Sequence, residues 1–225
     1  MARDLVRARK ARTAMDHLLV VAHPRTVSFT QSMADAYAKE LRSLGHSVVV
    51  RDLYKEGFNP LLSSEELLGP ETPKVPLAVR REQDYAADAA AIALFFPIWW
   101  AYMPAIVKGY FDRVLSPSFA YELVGYGLKG YDLLPRLSGK KALIFTSSGA
   151  DMGYLEGSGQ WNAMRVLVKN HILALCGIEL LEHIHFPSIT TDLPEQTVSE
   201  HIALVRATAR RLWGVEPTSP RTSTE

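Results

Sequence analysis

The sequence predicts a doubly wound α/β fold, in which helices cover both faces of one parallel sheet. Three observations carry this: five short apolar runs, helical segments between and after them, and a central run, IALFF at 92–96, that is apolar at every position. Five βα units in succession imply parallel strands joined by right-handed crossovers. Continuous rather than alternating hydrophobicity is what a parallel strand covered on both faces requires.

The first strand is the run HLLVVA at 17–22, and a loop with Pro24 and Ser28 separates it from a helix over 30–44. In that helix Met33, Ala36, Tyr37, Leu41 and Leu44 fall three and four apart, and Gly45 supplies the stop. A second strand spans 47–53. Residues 54–79, with four prolines and two glycines, read as an irregular excursion, and 86–91 as a short helix end feeding strand three. A helix over 103–115 follows, carrying Ile106, Val107, Tyr110, Phe111 and Val114 on one stripe, and then a glycine-bearing loop over 116–135. Strand four is ALIFT at 142–146, followed by a glycine-rich loop and a helix from about Trp161 to Leu175. A fifth strand near 179–186 and a last helix from about Pro194 to Trp213 complete the alternation.

A chain of 225 residues with 48% hydrophobic residues buries one substantial core. A net charge of +1 gives no reason to expect nucleic acid or an anionic membrane surface as a partner, which leaves small molecules and proteins. The single cysteine, Cys176, excludes an intrachain disulfide framework and fits a reducing compartment. No apolar run reaches bilayer-spanning length, so the expected location is the cytoplasm. Residues 1–15, basic and irregular, read as a frayed leader, 16–214 as the domain, and the polar 215–225 as a solvated tail.

Open parallel sheets bind ligands beyond the carboxyl ends of their strands, where strand order reverses. After strand one come His23, Ser28, Phe29 and Thr30 at a helix start, where unpaired N–H groups and the helix dipole favour an anion. Taken alone, Ser28 or Thr30 is better explained as an ordinary N-cap. No GxGxxG and no P-loop follows that strand, which disfavours a Rossmann dehydrogenase and a nucleotide triphosphatase. After strand three, Pro97, Ile98, Trp99, Trp100 and Ala101 put two adjacent tryptophans where they cannot both face one core, as a flat aromatic ligand would require. Ser147, Ser148 and Gly149 after strand four are small enough for close backbone approach. His183 and His185 have the alternation of a metal pair, but without a third ligand nearby a structural role is the better reading.

These loops together resemble those of the flavodoxin-like NAD(P)H:quinone oxidoreductases, the group that includes DT-diaphorase and bacterial quinone reductases. The likeness runs from about residue 17 to 213 and rests on AHPRTVSF at 22–29, DLYKEGFNPLLS at 52–63, FPIWWAYMPAIVKGYFDRV at 96–114, FAY at 119–121 and the 147–157 loop. It implies a five-stranded sheet of order 2-1-3-4-5. It also implies that His23, Ser28, Phe29 and Thr30 hold the flavin phosphates or ribityl chain, that Pro97, Ile98, Trp99, Trp100 and Ala101 lie along the isoalloxazine ring, and that Ser147, Ser148, Gly149 and Tyr154 approach its opposite edge. Tyr121 would line the nicotinamide and quinone pocket from the neighbouring subunit of a homodimer. Thr30 and Ala150 replace an asparagine and a glycine frequent in the family, and no histidine stands at 157–160 where DT-diaphorase has one.

The activity so implied is two-electron, ping-pong reduction of quinone-like acceptors by NAD(P)H through a bound flavin, expected as FAD with FMN the alternative, and with Tyr154 and Tyr121 as the catalytic residues. Because the flavin carries the hydride, no side chain is needed as a general base. A flavin-binding ancillary subunit of a potassium efflux system is an alternative on the same fold. An electron-transfer flavodoxin fits less well, since such proteins are usually strongly acidic. The choice between NADH and NADPH and the physiological acceptor are left open by the sequence.

Overall fold

In a computed structural model, described for residues 15–67, 74–127 and 130–214, the expected alternation is present. The leader at 1–14 and the tail at 215–225 lie outside the described residues. The elements are β1 Met15–Val21, α1 Phe29–Ser43, β2 Val48–Asp52, α2 Leu77–Asp88, β3 Ala89–Pro97 and α3 Ala105–Val114. There follow β4 Tyr121–Gly127, β5 Gly130–Pro135, β6 Lys141–Ser147, α4 Met152–Gly157 and α5 Gln160–Val166, which continues as a π-helical turn over Leu167–Leu173. β7 Glu179–Phe186 and α6 Glu195–Trp213 end the fold.

β2, β1, β3, β6 and β7 form one sheet in that order, every pair parallel. Counting only its own strands, this is the order 2-1-3-4-5. Successive side chains of a strand point to opposite faces, and the buried residues divide accordingly. Leu18, Val20, Ile92, Leu94, Phe96 and Ile144 join the core beneath α2, α3 and α5. Leu19, Val21, Ala93, Phe95, Leu143 and Phe145 join the core beneath α1 and α6. There the rings of Phe95 and Phe145 stack at 4.8 Å, with Tyr37 of α1 against both.

Four elements went wholly or partly unread in the sequence for identifiable reasons. α2 begins inside the irregular excursion, at 77–79, and only its end at 86–88 was read as helix, because its inward face is partly polar. Glu82 is buried in an ion pair with Arg51 of β2 (2.8 Å), and Gln83 donates to the Val114 carbonyl and to Ser116 Oγ. Hydrophobic periodicity cannot report a face built from ion pairs. Residues 89–91, read as a helix end, are instead the start of β3. β4 and β5 form a separate antiparallel hairpin within what reads as a loop, since three glycines mask the strand pattern. α4, likewise hidden in a glycine-rich stretch, is capped by Asp151, whose carboxylate accepts from Tyr154 N at 2.9 Å.

The remainder of the excursion is fastened to α3. Arg113 pairs with Glu66 (2.9 Å) and also donates to the Asn59 carbonyl, while its guanidinium lies over the Phe58 ring. Gly109 faces Pro60 so closely that an added Cβ would overlap both its ring and its backbone. At the opposite, amino-terminal edge of the sheet, His17 is buried between the His46 and Trp213 rings at 4.9 and 4.7 Å. Burial, followed by the neighbouring His46, pushes its pKa down to about 4. Trp213 in turn donates to Tyr37 Oη at 2.8 Å, which ties the end of α6 to α1.

The contact of Gly109 with Pro60 gives a test in which two effects oppose. Alanine is about 1 kcal/mol better than glycine inside a helix, whereas overpacking costs about 1–3 kcal/mol. Because the overlap involves backbone, overpacking wins, and Gly109→Ala should unfold at lower urea with a net loss of about 1 kcal/mol. A midpoint equal to or above that of the parent would contradict the fit.

Candidate functional site

Loops at the carboxyl ends of β1, β3, β6 and β7 enclose a cleft of about 380 Å³. It lies where the strand order reverses, because β1 and β3 are neighbours whose following helices, α1 and α3, pack on opposite faces. The β1 loop supplies His23, Ser28, Phe29 and Thr30. Ser28 is the N-cap of α1, its Oγ accepting from Gln31 N at 3.2 Å. The backbone N–H groups of Val27, Ser28, Phe29 and Thr30 have no acceptor among the described residues. They form a nest of donors at the positive end of a 15-residue helix. His23 Nδ1 accepts from Arg25 N at 3.1 Å and so closes the turn before them. Phe29 also has a packing role, edge-on to Phe186 and His201.

The β3 loop contributes Pro97, Ile98 and Trp99. Trp99 and Tyr102 exchange backbone hydrogen bonds of 2.9 and 3.0 Å around Trp100 and Ala101. Both central residues have left-handed backbone, with φ of 50° and 63°, the conformation of a type I′ turn that normally selects glycine or asparagine. Trp100 is 99% exposed and Trp99 39%. A large apolar side chain in strained backbone, offered to solvent, gains nothing for the fold and points to a site.

Ser147, Ser148 and Gly149 form the third wall. Ile98 N donates to the Ser147 carbonyl at 2.7 Å, extending the β3–β6 ladder by a residue. Ser148 N donates to the Phe186 carbonyl and Ile189 N to the Ser148 carbonyl, so the loops after β6 and β7 are stitched together. An added Cβ on Gly149 would meet only the Ile189 carbonyl, at 3.9 Å, so packing within the chain does not demand a glycine there.

Ten of the candidate residues therefore share one cleft. Trp100, Ala101 and Tyr154 are not in its lining; Tyr154 stands on α4, 58% exposed, with Gln160 Nε2 3.4 Å from its hydroxyl. Tyr121 lines a different cleft of about 230 Å³, with Phe111, Leu175 and Cys176. Burial raises the pKa of Tyr121, and that of Cys176 to about 11. The sequence reading missed Arg25, Val27, Ile189, Thr190 and Thr191, which also line the first cleft. The last three follow strand five, and the carboxyl-end rule applied to that strand would have found them.

The chain belongs to the flavodoxin-like fold family, whose pattern matches residues 15–209. It is 34% identical over 169 residues to an NAD(P)H oxidoreductase of Haemophilus influenzae, an alignment covering 75% of this chain and 81% of that protein. It is 31% identical over 222 residues to NAD(P)H dehydrogenase (quinone) 1 of Rattus norvegicus, covering 90% and 78% of the two chains. Among solved structures, an NAD(P)H:quinone oxidoreductase from Methanothermobacter marburgensis superposes with a TM-score of 0.77 at 27% identity, covering 91% of this chain and all of that one.

The strained turn can be tested by itself. Replacing Ala101 with glycine removes a left-handed penalty of about 1–2 kcal/mol at the cost of about 0.5–1 kcal/mol of added chain entropy. Ala101→Gly should therefore raise the free energy of unfolding by about 0.5 kcal/mol in urea titrations; a loss would mean that the turn is not strained.

Proposed function

We propose that the chain is a flavin-dependent NAD(P)H:quinone oxidoreductase that works by two-electron, ping-pong hydride transfer. The observation that carries this is the pairing, in one cleft, of unpartnered N–H donors at the start of α1 with an exposed indole and a small-residue loop on the facing walls. The first suits a phosphate and the second a flat aromatic ring. The glycine at 149, not required by the packing of the chain, suits close approach of such a ring. Family membership and the named oxidoreductase relatives support the same reading.

Bound flavin would supply the chemistry, accepting hydride from NAD(P)H and passing two electrons to the acceptor. The residues of the chain bind and orient. Val27, Ser28, Phe29 and Thr30 hold the phosphate through backbone N–H groups, helped by His23. Pro97, Ile98 and Trp99 would flank the ring, with Trp100 and Ala101 in the turn beyond them, and Ser147, Ser148 and Gly149 would carry its other edge. Tyr154, on α4 and outside the cleft lining, would donate from its exposed hydroxyl toward the ring edge where negative charge builds on reduction. Tyr121 lies away from the cleft of its own subunit, which is consistent with its completing the pocket of a partner in a homodimer.

The purified protein should carry flavin absorbance bands that bleach on anaerobic addition of NADPH or NADH and return with a soluble quinone. A chain that neither copurifies with flavin nor binds FMN or FAD would overturn the reading. The mass of the released cofactor decides between FAD, the first expectation, and FMN. Because Tyr154 is largely exposed, Tyr154→Phe should slow reduction by about tenfold, less than a buried donor would cause, while leaving flavin affinity nearly intact. Equal losses in rate and affinity would remove Tyr154 from the charge-stabilising role.

A further inference from the structure

His183 and His185 stand two residues apart on β7 and so on one face of the strand. Both reach Thr146 of the neighbouring β6: its Oγ1 lies 2.9 Å from His183 Nε2 and 2.9 Å from His185 Nδ1. His185 Nε2 lies 3.0 Å from Ser148 Oγ, and Ser148 donates to the Ala150 carbonyl at 2.8 Å. Thr146 and Ser148 are both buried.

The final carbonyl fixes every proton in this chain, because it can only accept. Ser148 has one hydroxyl proton and gives it to Ala150, so it accepts from His185 Nε2–H. His185 Nδ1 is then bare and accepts from Thr146, whose oxygen accepts in turn from His183 Nε2–H. One atom is left over, His183 Nδ1, and it is buried without a partner. That is the signature of a chain running in one direction. Burial keeps both rings neutral, holding His185 down to about 4 and, with the added repulsion of His185 and Arg165, His183 to about 3. Trp161 covers both imidazoles at 4.8 and 5.1 Å.

The chain ends on the loop that forms the third wall of the cleft. There the Ala150 carbonyl accepts from both Ser148 Oγ and Ser188 N, and the Ser148 carbonyl from Ile189 N. In a trans peptide the N–H points opposite to the carbonyl of the same unit. The N–H groups of Gly149 and Asp151 are therefore turned away from the β7 loop, and neither has an acceptor among the described residues.

We propose that His183 and His185 are positioning residues for this loop: acting through Thr146 and Ser148, they hold the Ala150 carbonyl inward and so keep the Gly149 and Asp151 N–H groups presented to the acceptor atoms of a flavin ring. The ligand in this proposal rests on the flavin reading above; the loop geometry does not.

Thr146→Val is close to isosteric and removes the hydroxyl that joins the two rings, whereas Thr146→Ser retains it. With apoprotein of the full chain titrated with FMN and with FAD by fluorescence quenching, Thr146→Val should bind roughly tenfold more weakly, the usual scale for a buried hydrogen-bonding group left unpaired. Thr146→Ser should restore binding. Parent-like binding by the valine variant, or valine-like binding by the serine variant, overturns the proposal. Long-range ¹H–¹⁵N spectra of the parent test the chain without any ligand or substitution: both imidazoles should be neutral and carry their proton on Nε2. A charged ring, or a proton on His185 Nδ1, overturns the direction and with it the proposal. If the parent binds neither flavin, the flavin reading fails, and the amide signals of Gly149 and Asp151 still decide the positioning role: displaced in Thr146→Val and returned in Thr146→Ser supports it, unmoved in both sinks it.

Discussion

The pairing of β3 with β1 on one side and β6 on the other is the constraint on which the rest of the structure depends. A parallel strand hydrogen-bonded along both edges and apolar on both faces can exist only between two helical layers, and that requirement places α1 with α6 on one side and α2, α3 and α5 on the other. The same pairing brings the carboxyl ends of the strands to one edge. There the loops that follow them become near neighbours although their residues lie far apart in sequence. The cleft is in this sense a by-product of how the core is covered, and its chemistry is set by the handful of residues at which each strand stops.

Those stopping points are not relaxed. Trp100, Ala101, Ser118 and Ser188 are non-glycine residues in left-handed backbone; the first two flank the cleft and Ser188 closes the β6–β7 stitching behind it. Such conformations cost free energy and persist where surrounding structure over-determines them. Here the over-determination is visible as hydrogen bonds that cross between loops: Ile98 to Ser147, Ser148 to Phe186, Ile189 to Ser148. The sheet is thus continued, one bond at a time, into the loops that line the cleft, and the strained turn is carried by this extension rather than by its own residues.

What the sequence made legible divides along physical lines. The five strands could be read because both-face burial leaves a run such as 92–96 without a polar residue. α2 could not, since Glu82 and Gln83 occupy inward positions where the pattern expects apolar side chains. Three cleft walls announced themselves through unusual chemistry: a histidine before a helix cap, paired tryptophans, a serine–glycine loop. The fourth, Ile189 to Thr191, has no such mark and is defined only by position. The linkage of His183 and His185 was equally invisible, because their shared partner Thr146 lies 37 and 39 residues away on another strand. Tyr121 illustrates a different limit, since the fold carries it into a separate cleft with Phe111, Leu175 and Cys176, a placement that no local motif marks.

The aromatic cluster at the far end of the sheet has a consequence for how the chain can be rearranged. His17 of the first strand touches Trp213 of the last helix at 4.7 Å, so the two ends of the folded unit meet at the edge opposite the cleft. The length of the strands separates that meeting point from the cleft at their carboxyl ends. A short linker between residues 15 and 214 would close the backbone into a ring without passing near the cleft, and new termini could then be opened in the β4–β5 hairpin, which stands apart from the five-stranded sheet. The architecture is therefore suited to circular permutation.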